Sequence, residues 1–323
     1  MKKVFQSALI FLMMFLGSFG CDGSCTCYEA PKQTKTLETL NIRPSDKVSF
    51  ALGVLKGIEV RDFDTVVGWF QDPPMWWETG FPFEYSARGK DEVIDRMAGL
   101  SHLASGGRMV PELVLVSGDT VATVYIIETS KGTRVARTEG LLVLNLSSDK
   151  IAGATDYVNP RPLLVQQGYL KGSFPVIDKV PDSPSVVEGD ASFPADFESA
   201  VFAAYEALSA GYPQPFQGII ADTCKVVDHL TGFEGTGVEA ARNALALKSV
   251  LKSTKFQFRK GFSIKAKNFI LIQWEIVVAE GRGTSSEVLI RADLFKVHDA
   301  QIEEIKIFGN SLQLFGLVVP SSE

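Results

Sequence analysis

Apolar residues recur at helical spacing over Lys47 to Glu59 and again over Phe197 to Ala210, and each run opens one half of the chain. Both predict amphipathic helices. A second short helical stretch is expected behind each, ending at Phe70-Gln71-Asp72 and at Ile220-Ala221-Asp222, followed by a Gly-led helix starting at Gly89 and at Gly237. Alternating β-rich runs come next. In the first half they are 112–115 with 120–128, 133–145 and 150–158; in the second, 256–266 with 268–279, 287–297 and 301–308. Matching features stay 148 to 151 residues apart throughout, so the chain reads as one domain written twice. Helices followed by a long antiparallel meander predict an α+β fold of two tandem cone-shaped domains, each a curved antiparallel sheet covered by its N-terminal helices. A curved sheet closed in this way encloses a conical cavity.

Pro, Ser and Asp are dense over 166–194, which reads as a linker between a first domain at 45–165 and a second at 195–319. The N-terminus is of another kind. Lys2 and Lys3 precede an apolar run from Val4 to Leu16, then Gly17-Ser18-Phe19-Gly20-Cys21, the order of a secretory signal over 1–20 with a flexible tether at 21–44. The run is shorter than the about 20 residues a spanning helix needs. Cys21 after Gly20 resembles the lipobox of bacterial lipoproteins, which implies a diacylated Cys21 and a chain anchored at the cell envelope or periplasm. Ser18 stands where that family has Leu, and Phe19 where it has a small residue. Cleavage after Ser18-Phe19-Gly20 by an ordinary signal peptidase, leaving a secreted soluble protein, is the alternative.

Composition narrows the classes. The 323 residues are 46% hydrophobic and 22% charged, which excludes disorder, and the net charge of −6 becomes −8 once Lys2 and Lys3 leave with the signal. With no Lys/Arg cluster, a nucleic-acid groove is not expected. Cys25 and Cys27 lie in the tether and Cys224 stands apart; His102, His229 and His298 are scattered. No metal site or cofactor is expected from these, and no phosphate loop, nucleophile elbow or zinc helix is present.

Strand alternation nominates inward-facing polar groups. Ile305 and Ile307 define a core face on the last strand, and the repeat offset then turns Asp156 inward in the first half. Taking Val288, Ile290, Ala292 and Leu294 as the core face of the neighbouring strand brings Arg137 and Glu139 in beside it. Carboxylates in an apolar cavity with an adjacent Arg suit acid/base chemistry near neutral pH. A one-residue slip would instead put Arg137 and Glu139 in solvent. Trp69, Trp76, Trp77, Phe81, Phe83 and Tyr85 crowd an irregular Pro-rich stretch, and are read as an aromatic wall for an apolar ligand or as core packing.

The order of helix, short helix ending in Phe70-Gln71-Asp72, Gly-led helix, long hairpins and a last strand reading Asp149-Lys150-Ile151-Ala152-Gly153-Ala154-Thr155-Asp156-Tyr157 resembles the nuclear transport factor 2-like superfamily. Within it the chain is similar to the SnoaL-like polyketide cyclase and limonene-epoxide hydrolase group, over residues 45–160 and 197–318. The resemblance implies a cone with an apolar pocket, in a superfamily of enzymes, ligand binders and partner-binding modules. Its hydrolases use an Asp, Arg, Asp arrangement and its isomerases an Asp base with Tyr. The strand equivalent to the hydrolases' Arg-x-Asp reads Val124-Tyr125-Ile126 here, a departure. Three functions are therefore expected as alternatives. The first is a binder of a hydrophobic or aromatic molecule in the first domain. The second is an acid/base enzyme using Asp156 with Tyr85 or Arg137. The third is an interaction scaffold whose two domains pair within the chain.

Overall fold

A computed structural model describes residues 35–78, 85–104, 107–131, 133–172, 174–210, 216–246, 256–278 and 287–309. The expected signal and lipidation site at Cys21 lie outside them, as do Cys25, Cys27, Phe81 and Phe83, and the side chain of Tyr85 is not described. Among the described residues no helix is long and apolar enough to cross a membrane.

Helix α1 (Lys47–Val60) starts at a capping box. The Asp46 carboxylate accepts the Ser49 N–H, and the Ser49 hydroxyl accepts the Asp46 N–H in return. Gly53 and Gly57 lie on its packed side, where a Cβ would stand 2.9 Å from the Trp69 ring and 2.2 Å from Val66 of α2 (Phe63–Val67). The part of the expected tether from Lys35 on is described. Leu37 is buried against α1 and α2, and its N–H donates to Asp62 Oδ2 at 2.8 Å.

The remaining elements of the first half are β1 (Met75–Glu78), β2 (Tyr85–Arg88), α3 (Lys90–Leu103), β3 (Arg108–Ser117), β4 (Thr120–Lys131), β5 (Arg134–Ser147), β6 (Lys150–Val158) and α4 (Arg161–Gln166). The linker holds β7 (Ser185–Glu188). The second half has α5 (Phe197–Ser209), β8 (Ile220–Asp228), β9 (Phe233–Thr236), α6 (Val238–Leu245), β10 (Phe256–Ala266), β11 (Phe269–Val278), β12 (Glu287–His298) and β13 (Gln301–Phe308). Gly89 and Gly237 both precede their helices at φ 93°, a conformation that favours glycine in each repeat.

The sheets run β2-β1-β6-β5-β4-β3-β7 and β9-β8-β13-β12-β11-β10, one order used twice. Most neighbours are antiparallel; β1 on β6, β8 on β13 and β7 on β3 are parallel. Three sequence expectations change. Ile220-Ala221-Asp222 starts a strand and does not end a helix, because Ile220, Cys224, Val226 and Asp228 alternate as buried positions. Trp76 and Trp77, behind Pro73-Pro74, lie in β1, which pairs antiparallel with the edge strand β2. The linker adds β7 to the sheet, and Arg137 holds it by donating from Nη1 to the carbonyls of Ile177 (2.8 Å) and Asp178 (3.3 Å).

Each sheet buries one face under its own helices. The opposite faces pack on each other through Leu115, Val124, Leu141, Val143 and Tyr157 from the first, and Ile264, Leu271, Ala292, Leu294 and Phe308 from the second. The domains thus pair back to back within the chain. This settles the strand faces. Val288, Ile290, Ala292 and Leu294 lie on the sheet-to-sheet side, so the expected inward placement of Arg137 and Glu139 is reversed: both lie on the back of the first sheet. With both faces of a strand buried, apolar alternation does not distinguish the helix side from the sheet side.

Polar groups close one flank of this contact. The Tyr157 hydroxyl donates to Gln273 Oε1 at 2.7 Å, and Lys306 reaches both Glu112 and Glu139, each at 3.1 Å. His229 Nε2 lies 3.0 Å from Glu139 while its ring stacks on Phe308.

Candidate functional site

Asp156 lies on the helix-facing side of β6, as expected, and is fully buried. Tyr125 of β4 donates its hydroxyl to Asp156 Oδ1 at 2.6 Å. The ring has room because residue 140 on the neighbouring strand is glycine: a Cβ there would lie 2.7 Å from Tyr125 Cζ and 2.8 Å from its hydroxyl. Gly140→Ala is expected to destabilise the first domain by about 1–3 kcal/mol through overpacking. Equilibrium unfolding and the near-ultraviolet tyrosine signal check this; an unchanged midpoint would mean the ring shifts freely.

Of the rings expected to form an aromatic wall, Trp69, Trp76 and Trp77 are described, and these three are not brought together. Trp76 is buried beside Phe70 inside the cone, with ring centroids 6.1 Å apart. Its neighbour Trp77 covers Gly153 on the opposite face of the sheet. Trp69 packs edge-on to Phe50 and lines a surface groove of about 820 Å³ with Ile42, Arg43 and Leu146, a lining that includes neither Asp156 nor Tyr125. Arg137 is engaged with Glu128 and the linker, and Glu139 with Lys306 and His229.

The second cone holds a group that strand alternation does not nominate. Arg291 and Asp293 project from β12 toward the helices, into a shell of rings, and both are completely buried. Arg291 donates to Asp293 Oδ2 from Nε at 3.2 Å and from Nη2 at 2.9 Å; Nη2 also reaches the carbonyl of Leu245 at the end of α6, at 3.0 Å. The Tyr205 hydroxyl, from α5, donates to the same Oδ2. The guanidinium lies 5.1 Å from the Phe258 ring centroid, and Tyr205 packs on Trp274 at 4.0 Å. Asp228, at the end of β8, accepts from the Leu230 and Thr231 amides and the Thr231 hydroxyl, so it is occupied in shaping a turn.

All the polar contacts of Asp293 converge on one oxygen. Its Oδ1, together with Arg291 Nη1 and the Trp274 indole nitrogen, has no hydrogen-bond partner among the described residues. Trp274 is paired with Arg291 across the β11–β12 ladder. A buried donor or acceptor left alone costs about 1–3 kcal/mol, so such atoms occur together where something else meets them.

Burial pushes the Asp293 carboxyl above its ordinary range against the pull of Arg291, and burial likewise raises Asp228. The Tyr205 phenol is raised, by burial first and by Asp293 second. Burial would lower the Arg291 guanidinium, but Asp293, Tyr205 and Asp228 outweigh it and hold the cation. A fixed cation beside a carboxyl shifted toward neutrality is an arrangement able to move a proton. The sequence signal available is Arg291-x-Asp293 flanked by Val288-Leu289-Ile290 and Leu294-Phe295, where the first repeat has Gly140-Leu141-Leu142.

No protein-family model matches the sequence, and no match to a curated protein is found. Solved structures to which the chain is similar include a SnoaL-like polyketide cyclase from Jannaschia sp. CCS1 (12% identity, 42% of this chain and 99% of that one, TM-score 0.35). Another is a protein of ketosteroid isomerase-like fold from Catenulispora acidiphila, in complex with trimethylamine (15%, 37% and 93%, TM-score 0.32). A third is a nuclear transport factor 2-like protein of unknown function from Burkholderia pseudomallei (12%, 39% and 100%, TM-score 0.33).

Proposed function

We propose that the chain is an exported, lipid-anchored tandem-cone protein that takes a small, largely apolar molecule bearing a hydroxyl or carbonyl oxygen, and that the second cone is its site. One observation carries the site: Arg291 Nη1, a donor, and Asp293 Oδ1, an acceptor, are completely buried in a cone where Tyr205 and Phe258 flank the guanidinium, and both lack partners among the described residues. A ligand oxygen would accept from Nη1, and Oδ1 would face its hydroxyl hydrogen or a neighbouring C–H. The first cone is the weaker candidate, because Trp69, Trp76 and Trp77, the described rings expected to line it, point in different directions. Lys2, Lys3, the apolar run and Cys21 support export and anchoring.

The same atoms permit proton transfer. Asp293 Oδ1 would accept a proton from carbon next to a carbonyl. In a β,γ-unsaturated carbonyl compound the C–H pair would become a new C=C bond as the carbonyl π pair moves onto oxygen, giving a dienolate stabilised by Arg291, and return of the proton from Asp293 to the γ-carbon would complete an isomerisation. Tyr205 holds Oδ2, which leaves Oδ1 as the basic atom.

Thermal-shift titration with 2-naphthol against naphthalene tests the reading. The naphthol is expected to raise the unfolding midpoint and naphthalene to do so much less, since only the former satisfies both atoms. Equal shifts from both, or a high-resolution crystal structure with one ordered water bridging Nη1 and Oδ1 and no room beyond it, would remove the site. Mass spectrometry of the membrane fraction tests the anchor separately, and an unmodified Cys21 there refutes it.

A further inference from the structure

Five large apolar side chains stand exposed among the described residues, and four of them are carried by segments tied together at one corner of the first domain. They are Val135 at the start of β5 (52% exposed), Tyr169 (40%) and Leu170 (42%) just after α4, and Val176 in the linker (68%). Hydrogen bonds link these segments. The Arg137 N–H donates to Gln166 Oε1 at 2.8 Å and Gln166 Nε2 donates back to the Arg137 carbonyl at 2.9 Å, which docks α4 on β5. Arg137 then grips the carbonyls of Ile177 and Asp178, and Arg134 Nη1 lies 3.2 Å from where a Cβ of Gly168 would stand. Single exposed apolar residues are ordinary, but a cluster joined in this way marks a contact surface.

The charges beside it are of one prevailing sign. Arg134, Lys171 and Lys179 are exposed and make no ion pair with any described residue; Asp178 is the acid among them. On a chain of net charge −6, a local excess of cations next to apolar side chains complements anionic lipid headgroups over acyl chains. The position agrees with this. Leu37, near the first described residue, is bound to Asp62 just past the end of α1; Glu59 of the same helix end accepts the Met109 N–H; and Arg108 reaches Glu128, which also holds Arg137. The described chain therefore begins at the end of the domain that carries the patch.

We propose that Val135, Tyr169, Leu170 and Val176, with Arg134, Lys171 and Lys179, form a face that docks on an anionic membrane surface. The anchoring reading of Cys21 decides only which membrane the face meets; the face itself binds without a lipid. The test uses the exported chain carrying Cys21→Ser, which no acyl chain can hold to a bilayer. Its co-sedimentation with phosphatidylethanolamine vesicles containing about one third phosphatidylglycerol is expected to exceed that with phosphatidylcholine vesicles by about tenfold and to fall at high salt. Leu170→Ser with Val176→Ser is expected to lower binding about tenfold, and Lys171→Glu with Lys179→Glu to remove the preference for phosphatidylglycerol. All four side chains are exposed, so unfolding midpoints should stay at that of the parent. Absence of binding to either vesicle, or binding that neither pair of substitutions changes, overturns the proposal. So does self-association that Leu170→Ser with Val176→Ser abolishes while vesicles are ignored, since the face would then serve protein contact. Failure of lipidation at Cys21 is read by mass spectrometry alone and leaves these outcomes intact.

Discussion

Asp293→Ala is expected to destabilise the second domain by about 3–5 kcal/mol, among the largest effects available to a single substitution in this chain. The physical reason is Arg291. It is fully enclosed, its counter-charge is Asp293, and Asp228 is turned to the Thr231 turn; removing the carboxylate leaves a guanidinium in a shell of Tyr205, Phe258 and Trp274. Arg291→Met combined with Asp293→Leu removes both charges and is expected to recover most of the loss, because a buried ion pair replaced by apolar volume is often neutral. Denaturant unfolding of the two variants and the parent, followed through the tryptophan signal, checks the pair. A double variant no better than Asp293→Ala would mean that the helix-end contact of Arg291 with Leu245, and not charge balance, is what the site supplies.

The second large effect concerns acid. Burial alone would raise the Glu139 carboxyl, but His229 and Lys306 outweigh it and hold it at about 2, against an ordinary value of 4.5. A carboxylate depressed in the folded state stabilises fully above its ordinary value, and that contribution is lost as pH falls from about 4.5 to about 2. The shift corresponds to roughly 3 kcal/mol. Glu112, which shares Lys306, is raised by burial and by Glu139, so its own contribution has the opposite sign: it grows as pH falls toward 4.5. Glu139→Gln should therefore flatten the pH dependence of unfolding below 4.5 and, by removing part of what raises Glu112, also shrink the gain in stability as pH falls toward 4.5. Parallel profiles for parent and variant between pH 4.5 and 2 would show that the domain contact does not rest on this carboxylate.

The repeat was legible because its period survives in residues with one-sided demands. Gly89 and Gly237 both need a positive φ, and β6 and β13 each show an apolar face toward the helices. The central strands were not legible to the same depth. On β12 both faces are enclosed, so the more continuous apolar row predicts the cone interior although it lies against the other sheet, and alternation does not nominate Arg291 and Asp293. The four-residue strands β1, β2, β7 and β9 depend on neighbours for their pairing and carry little pattern of their own. Trp76 and Trp77 show a limit that strand parity could have lifted: adjacent residues on a strand point to opposite faces, so the two rings could not share a wall.

Fusing the two halves frees each from having to match its own image. In a symmetric dimer of identical subunits, any acid placed against a lysine would appear twice, with its lysine twice. Here Lys306 stands where the first repeat has Thr155, and Glu139 where the second has Ile290, so one cation answers two acids across a seam with no second copy to satisfy. The same liberty extends inside the cones. Gly140 and Leu142 occupy the places of Arg291 and Asp293, and one half can keep a nearly apolar interior while its sister carries charge.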